Sequence, residues 1–149
     1  MNLRRMPAAV VLSLVFLVVA AVWPGLRTAS AASTSQGLPV LPKNAFGFME
    51  LHAEQLARSM SSKNFILVNV HVPDQGSLPK TDVSIPFDQI KTSLDKLPRK
   101  DAPIVVYCRS GGMSAQVAAT LAAAGYTRIY ELKGGFNGWK AAGHDLASK

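Results

Sequence analysis

The single cysteine of this 149-residue chain, Cys108, directly follows the apolar run I-V-V-Y and opens the segment C-R-S-G-G-M-S. Such a run reads as a buried strand, and in open α/β sheets ligands gather at the carboxyl ends of strands. Gly111 and Gly112 allow a tight turn with backbone N–H groups pointing inward, and the helix that starts behind them adds about half a positive charge at its N-terminus. Both features favour an anion: a bound oxyanion, a thiolate or a persulfide. Most buried cysteines pack inertly, but a lone thiol placed between a strand end and a Gly-Gly turn argues for a nucleophile. Cys108 is therefore the candidate catalytic residue, with Arg109, Ser110, Gly111, Gly112, Met113 and Ser114 as candidate substrate contacts.

Other chemistries find less support. One cysteine permits neither an internal disulfide nor a cysteine-rich metal site, and His52, His71 and His144 are dispersed without metal-ligand spacing, so no metal is expected, and chemistry on a lone thiol requires no organic cofactor. Asp74, Asp82 and Asp88 form no defensible acid pair, and the Gly-Gly steps lack the length and lysine of a phosphate-binding loop. His52 and His144 read as surface or capping residues. Trp139 and Phe136 read as core packing of the last helix.

The elements that must position Cys108 follow from the pattern of apolar residues. A short strand is expected over 46–50 and a helix over 53–61, with Leu51, Leu56 and Met60 at helical spacing. The run F-I-L-V-N-V-H-V (65–72) suits a strand buried on both faces, and Pro73 to Lys80 must be a loop. An extended piece over 84–87 leads to Asp88, an expected N-cap for a helix carrying Ile90, Leu94 and Leu97 as far as Pro98. Ile104 to Tyr107 is the strand before Cys108. Met113 to Ala124 is a helix closed by Gly125, Thr127 to Leu132 a further strand, and Gly134-Gly135 leads into a last helix through Trp139 to Ala142. Strands alternating with helices over short connections give an α/β domain with a mainly parallel sheet.

The first thirty residues differ in kind. Arg4 and Arg5 precede an uncharged apolar run from Ala8 to Trp23, Pro24-Gly25 breaks it, and Ala29-Ser30-Ala31 has the small-x-small form of a cleavage site. Residues 1–31 are expected to be a signal peptide, with an uncleaved membrane anchor as the alternative, and 32–45 a flexible Ser-, Gly- and Pro-rich arm. The net charge of +7 is shared unequally, since thirteen of the sixteen basic residues and all nine acids follow residue 31. The mild excess of four that remains there is scattered, which excludes a nucleic-acid stripe. The expected location is exported, periplasmic or otherwise extracytoplasmic; an inner-membrane anchor is the alternative, with membrane contact only through the N-terminal segment if it is uncleaved. A single thiol suits such a compartment, where a pair would tend to oxidise.

Four stretches resemble the single-domain rhodaneses, a sulfurtransferase family. The Cys108 loop is similar to the family's C-x-x-G-x-R-S. I-L-V-N-V-H-V is similar to its strand L-I-D-V-R, S-I-P-F to the short piece after the substrate-side loop, and G-G-F-N-G-W-K-A-A-G-H-D-L to its terminal G-G-x-x-x-W-x-x-x-G-x-x-L. The resemblance implies a rhodanese-like three-layer domain over 46–147, with a five-stranded, mainly parallel sheet and helices on both faces. It further implies that Cys108 takes a sulfane sulfur from a small donor anion such as thiosulfate or from a persulfide, and passes it to a thiol, cyanide or protein acceptor. The alternative is a rhodanese-fold relay, sensing or binding module with little turnover.

Three departures bear on this. Met113 stands where the family usually has an arginine able to clamp an anionic donor through its planar fork, and Arg109 is the nearby substitute. Asn69 and His71 stand where Asp and Arg are usual, and the loop from Pro73 to Val83 departs from the family's G-H-I segment. Residues 69 and 71 share strand parity. His71 is expected either to approach Cys108 and favour its thiolate or to order the following loop by a hydrogen bond.

Overall fold

The computed structural model describes residues 37–148. Among these, five strands form one sheet: β1 (Met49–Leu51), β2 (Ile66–Asn69), β3 (Val83–Ser84), β4 (Ile104–Tyr107) and β5 (Ile129–Leu132), in the order β1-β5-β4-β2-β3 with every pair parallel. Three α-helices pack on it, α1 (Ala53–Ser59), α2 (Gly112–Ala123) and α3 (Gly135–Ala141). The expected parallel α/β sheet is thus the one observed.

Alternation along the central strands sorts the core into two layers. Val68, Val70, Ile104, Val106, Cys108 and Ile129 face α2, where Val117, Ala118 and Leu121 cover them. Leu67, Val105, Tyr107, Tyr130 and Leu132 face the other way, against Leu56 of α1 and Phe136 and Trp139 of α3. Each fully buried Leu, Ile or Val stabilises the fold by about 1.5–3 kcal/mol. A sheet covered on both sides explains why its strands read as unbroken apolar runs.

The largest departure lies between β3 and β4. In place of a helix capped by Asp88, the chain makes two 3₁₀ turns, Phe87–Thr92 and Leu94–Lys96, broken at Ser93. Ile90 and Leu97 are still buried. Pro98 holds Leu97 in extended backbone (φ −97°, ψ 153°), which ends the turns there. The remaining elements differ from expectation only at their ends. α1 passes at Met60 into a 3₁₀ turn, and Gly125 and Tyr126 close α2 with amide bonds to Ala122 and Leu121, a double closure of the last carbonyls.

Part of the expected 32–45 arm lies against the domain. Leu38 and Leu41 pack against the α1/α3 core, Tyr130 donates its hydroxyl to the Pro39 carbonyl, and Ser59 donates to that of Gly37. Apolar side chains scattered among polar ones suffice to dock the arm. The expected signal segment, residues 1–31, lies outside the described residues. No helix among the described residues is long and apolar enough to cross a membrane.

Candidate active site

β4 ends at Tyr107, so Cys108 leaves the sheet at the carboxyl edge with its side chain still in the α2-side core. The loop then doubles back into α2. Gly111 makes the bend at φ +103°, a conformation that a side chain would strain, and its N–H donates to Cys108 Sγ at 3.1 Å. The Ser114 hydroxyl lies 3.4 Å from the same sulfur. Burial pushes the Cys108 thiol up, but the Ser114 hydroxyl and the amides of Ser114, Ser110 and Gly111 outweigh it, and the thiol ionises below its ordinary value. The loop is thus a cradle of N–H and O–H donors around one sulfur.

A second segment fixes this cradle from behind. The amides of Phe136 and Asn137, in the first turn of α3, donate to the carbonyls of Cys108 and Arg109, both at 3.0 Å. This contact requires Gly135, because a Cβ there would lie 2.1 Å from the Cys108 carbonyl oxygen. The terminal G-G motif is therefore part of the site: it brings the α3 backbone against the peptide of Cys108 itself. Trp139, buried and donating Nε1–H to the Asp145 carbonyl at 2.8 Å, holds α3 in place as core packing.

The sulfur lies on the floor of an open pocket of about 460 Å³ lined by His71, Val72, Pro73, Gln75, Arg109, Ser110, Gly112, Met113 and Gln116. Arg109 is exposed, its Nη1 reaching Gln75 Oε1 at 3.4 Å. Met113 packs partly against the α2-side core and brings a thioether to the wall. Of the candidate residues, the structure brings Cys108, Ser110, Gly111 and Ser114 together at the sulfur. Arg109, Gly112, Met113 and His71 are walls around it.

His71 does not meet the thiol. Asn69 pairs with Tyr107 across β2 and β4, which puts Val70 beside Cys108 on the α2 face and turns Asn69 and His71 to the other. The His71 ring stands edge-on to Phe136, with centroids 5.5 Å apart, and its Nε2 bonds Gln75 Oε1 at 3.1 Å. Of its two expected roles, ordering the following loop is the one observed. Asn69 serves the same loop, donating to the Gly76 carbonyl at 3.1 Å and accepting the His71 N–H at 3.0 Å. Tyr107 anchors its far end by accepting the Leu78 N–H and bonding Thr81.

A family model described as a rhodanese-like domain matches residues 52–142. The chain belongs to the rhodanese-like domain family. A sulfurtransferase of Allochromatium vinosum is 33% identical over 98 residues, 63% of this chain and 90% of the relative. The thiosulfate sulfurtransferase GlpE of Actinobacillus succinogenes is 30% identical over 103 residues, 64% of this chain and 87% of the relative. Among solved structures, a rhodanese-like domain protein from Staphylococcus aureus superposes with a TM-score of 0.58 at 26% identity, over 67% of this chain and 97% of that one. A rhodanese-like domain from Anabaena gives 0.60 at 22% identity, over 67% and 79%, a likeness of fold alone.

Sequence reasoning missed Glu131 in this rhodanese-like domain. Its carboxyl is buried behind the cradle and accepts the Ser114 hydroxyl at 2.7 Å. The signal was there to read: an acid inside the otherwise apolar strand I-Y-E-L must be either exposed or committed to a partner. Gln75 and Gln116 were also missed, and nothing in their local sequence marks them as pocket residues.

Proposed function

We propose that this rhodanese-like domain is a sulfurtransferase whose Cys108 carries a sulfane sulfur as a persulfide. The observation that supports it best is the pair of donors on Cys108 Sγ, the Gly111 amide at 3.1 Å and the Ser114 hydroxyl at 3.4 Å. They favour the thiolate before reaction and, with the other loop amides, an anionic terminal sulfur after it. The thiolate attacks the outer sulfur of the donor, whose sulfur–sulfur bond breaks, and the leaving group departs with the electron pair. An acceptor nucleophile then attacks the terminal sulfur, and Cys108 leaves again as thiolate. The names of the relatives, sulfurtransferase and thiosulfate sulfurtransferase, support the same reading.

Met113 favours a second reading, in which the domain relays or senses sulfane sulfur with little turnover, since a thioether offers an anionic donor no charged clamp. Intact-mass measurement after exposure to thiosulfate, to polysulfide and to an organic persulfide tests both. A gain of one sulfur that is lost in Cys108→Ser and discharged repeatedly by thiol or cyanide supports the enzyme. A stable gain without turnover supports the relay, and no gain from any donor overturns both. We further propose that the domain works outside the cytoplasm, on the strength of the charged start, apolar run and Ala29-Ser30-Ala31. N-terminal sequencing of protein from the native host should find a start at or near Ala32, and protease should reach the domain without rupture of the cytoplasmic membrane.

A further inference from the structure

Glu131 is the one charged side chain that is buried among the described residues, at 5% exposure. On β5 it is paired with Val106 of β4 on one side and Glu50 of β1 on the other. Burial of an ionisable group among apolar strands is costly unless a partner compensates it, and here the compensation comes from Ser114, 2.7 Å away. That hydroxyl has three acceptors in reach: Glu131 Oε1 at 2.7 Å, the Gly111 carbonyl at 3.2 Å and Cys108 Sγ at 3.4 Å. It has one proton to give. An ionised Glu131, the nearest acceptor, takes that proton and adds negative charge behind the sulfur. A protonated Glu131 donates to Ser114 Oγ instead, which frees the hydroxyl proton for the sulfur.

We propose that Glu131, Ser114 and Cys108 form one hydrogen-bonded chain that holds one ionisable proton beyond the Ser114 hydroxyl's own, in which Glu131 is a positioning residue that sets the charge state of the thiol through Ser114. In the resting form the thiol donates to Ser114 and Ser114 donates to the Glu131 carboxylate. As the thiolate forms, its proton passes to Ser114 while the Ser114 proton passes to Glu131, so no net proton leaves the site. On discharge, the acceptor attacks the terminal sulfur, the sulfur–sulfur bond breaks, and Cys108 Sγ takes the electron pair against the Ser114 hydroxyl. The proton then returns along the chain. The two ends are moved toward each other, since burial pushes the Glu131 carboxyl up while the loop donors bring the thiol down. The charged groups facing Glu131 are Glu50, which opposes its ionisation, and Lys133, which favours it.

The role in discharge rests on the sulfur-transfer reading, but the coupling does not, and it is tested on the resting thiol. Alkylation rate of Cys108 is measured against pH in wild type, Glu131→Gln, Ser114→Ala and the double variant. Glu131→Gln removes the charge and lets an amide N–H donate to Ser114, so the thiol should ionise lower by about one unit, about tenfold more thiolate on the acid side of both values. In the Ser114→Ala background the same substitution should move the thiol by less than half as much. The wild-type profile should carry a second inflection on its acid side, from the carboxyl, that is absent in Glu131→Gln. Equal shifts in both backgrounds, or a single wild-type inflection that Glu131→Gln leaves in place, overturns the chain. A wild-type profile with a single inflection overturns the chain by itself, even if a variant fails to fold. Should no donor load Cys108 while Glu131→Gln still moves the thiol through Ser114, the sulfur-transfer reading falls and the coupling stands.

Discussion

On the floor of the Cys108 pocket every group that meets the sulfur is backbone or buried: the Gly111 amide, the Ser114 hydroxyl and, behind them, the Glu131 carboxyl. On the rim, His71, Gln75, Arg109 and Gln116 meet solvent and touch the sulfur at no point. The floor is fixed by packing and by α3, whose first amides hold the Cys108 and Arg109 carbonyls. The rim is fixed only by a few side-chain contacts, such as Arg109 to Gln75 at 3.4 Å. On the proposed reading, activation of the nucleophile therefore falls to the floor, and choice of donor to the rim. Of the positions where this chain departs from the family pattern, residues 71, 73–83 and 113 lie on the rim or lead to it, and the buried Asn69 holds that loop from within.

The comparison breaks most plainly at the nucleophile. Cys108→Ser should abolish sulfur transfer, read as loss of cyanide-dependent turnover, with the fold retained, because the hydroxyl nearly matches the thiol in size but not in nucleophilicity. Transfer at the wild-type rate by that variant would remove the floor from the chemistry. Next in size is Gly135→Ala. Its new Cβ would meet the Cys108 carbonyl oxygen at 2.1 Å from a backbone at φ +55°, so stability to denaturant should fall by about 3 kcal/mol or more. Gly112→Ala is the matched control, since a Cβ there meets nothing within 4 Å and stability should hold or rise slightly. Equal losses in the two variants would show that the α3 contact is not what fixes the floor.

The same division marks what could be read from the sequence. The strands were legible because a sheet covered on both faces needs continuous apolar runs, and the Cys108 loop because glycines and a thiol at a strand end leave few alternatives. Leu94 and Leu97 carry helical spacing, but the segment turns as 3₁₀ with a break at Ser93, and apolar spacing alone does not distinguish the two kinds of turn. The parity of Asn69 and His71 was right, yet their face relative to Cys108 depended on a register, Asn69 against Tyr107, that one sequence does not contain. Glu131 and Ser114 lie 17 residues apart and meet only because α2 packs over β5. Contacts of that kind carry no local signature.

On the rim, Met113→Arg is the sharpest test of donor choice. It adds the guanidinium that the family pattern places at this position, and one charge-assisted contact is worth roughly 1.5–3 kcal/mol, so thiosulfate should bind about ten- to a hundredfold more tightly. Alkylation of Cys108 should change much less, because none of the groups that meet the sulfur is altered. A large change in thiol reactivity without a gain in thiosulfate affinity would mean that rim and floor are not separable.

The smallest effect concerns stability against pH and isolates the buried carboxyl. Burial holds the Glu131 carboxyl above its ordinary value, with Glu50 acting in the same direction and Ser114 and Lys133 in the opposite one. In the window between the unfolded and folded values, the folded chain binds more protons at this position than the unfolded chain. Stability contributed here is therefore complete below the unfolded value and is lost as pH rises through the folded one. Each unit separating the two values corresponds to about 1.4 kcal/mol. Glu50 is held below its ordinary value, chiefly by its hydrogen bond and charge pairing with Lys133, and acts in the opposite sense. Since it is present in both proteins, the difference between wild type and Glu131→Gln removes most of its contribution. Urea titrations across the acid range should show wild type losing ground to Glu131→Gln as pH rises, then running parallel to it once the carboxyl is fully ionised. A difference that stays flat with pH would mean that Glu131 ionises as an exposed carboxyl does. The floor would then lose its buried charge, and with it the reason for Ser114 to divide its proton between carboxyl and sulfur.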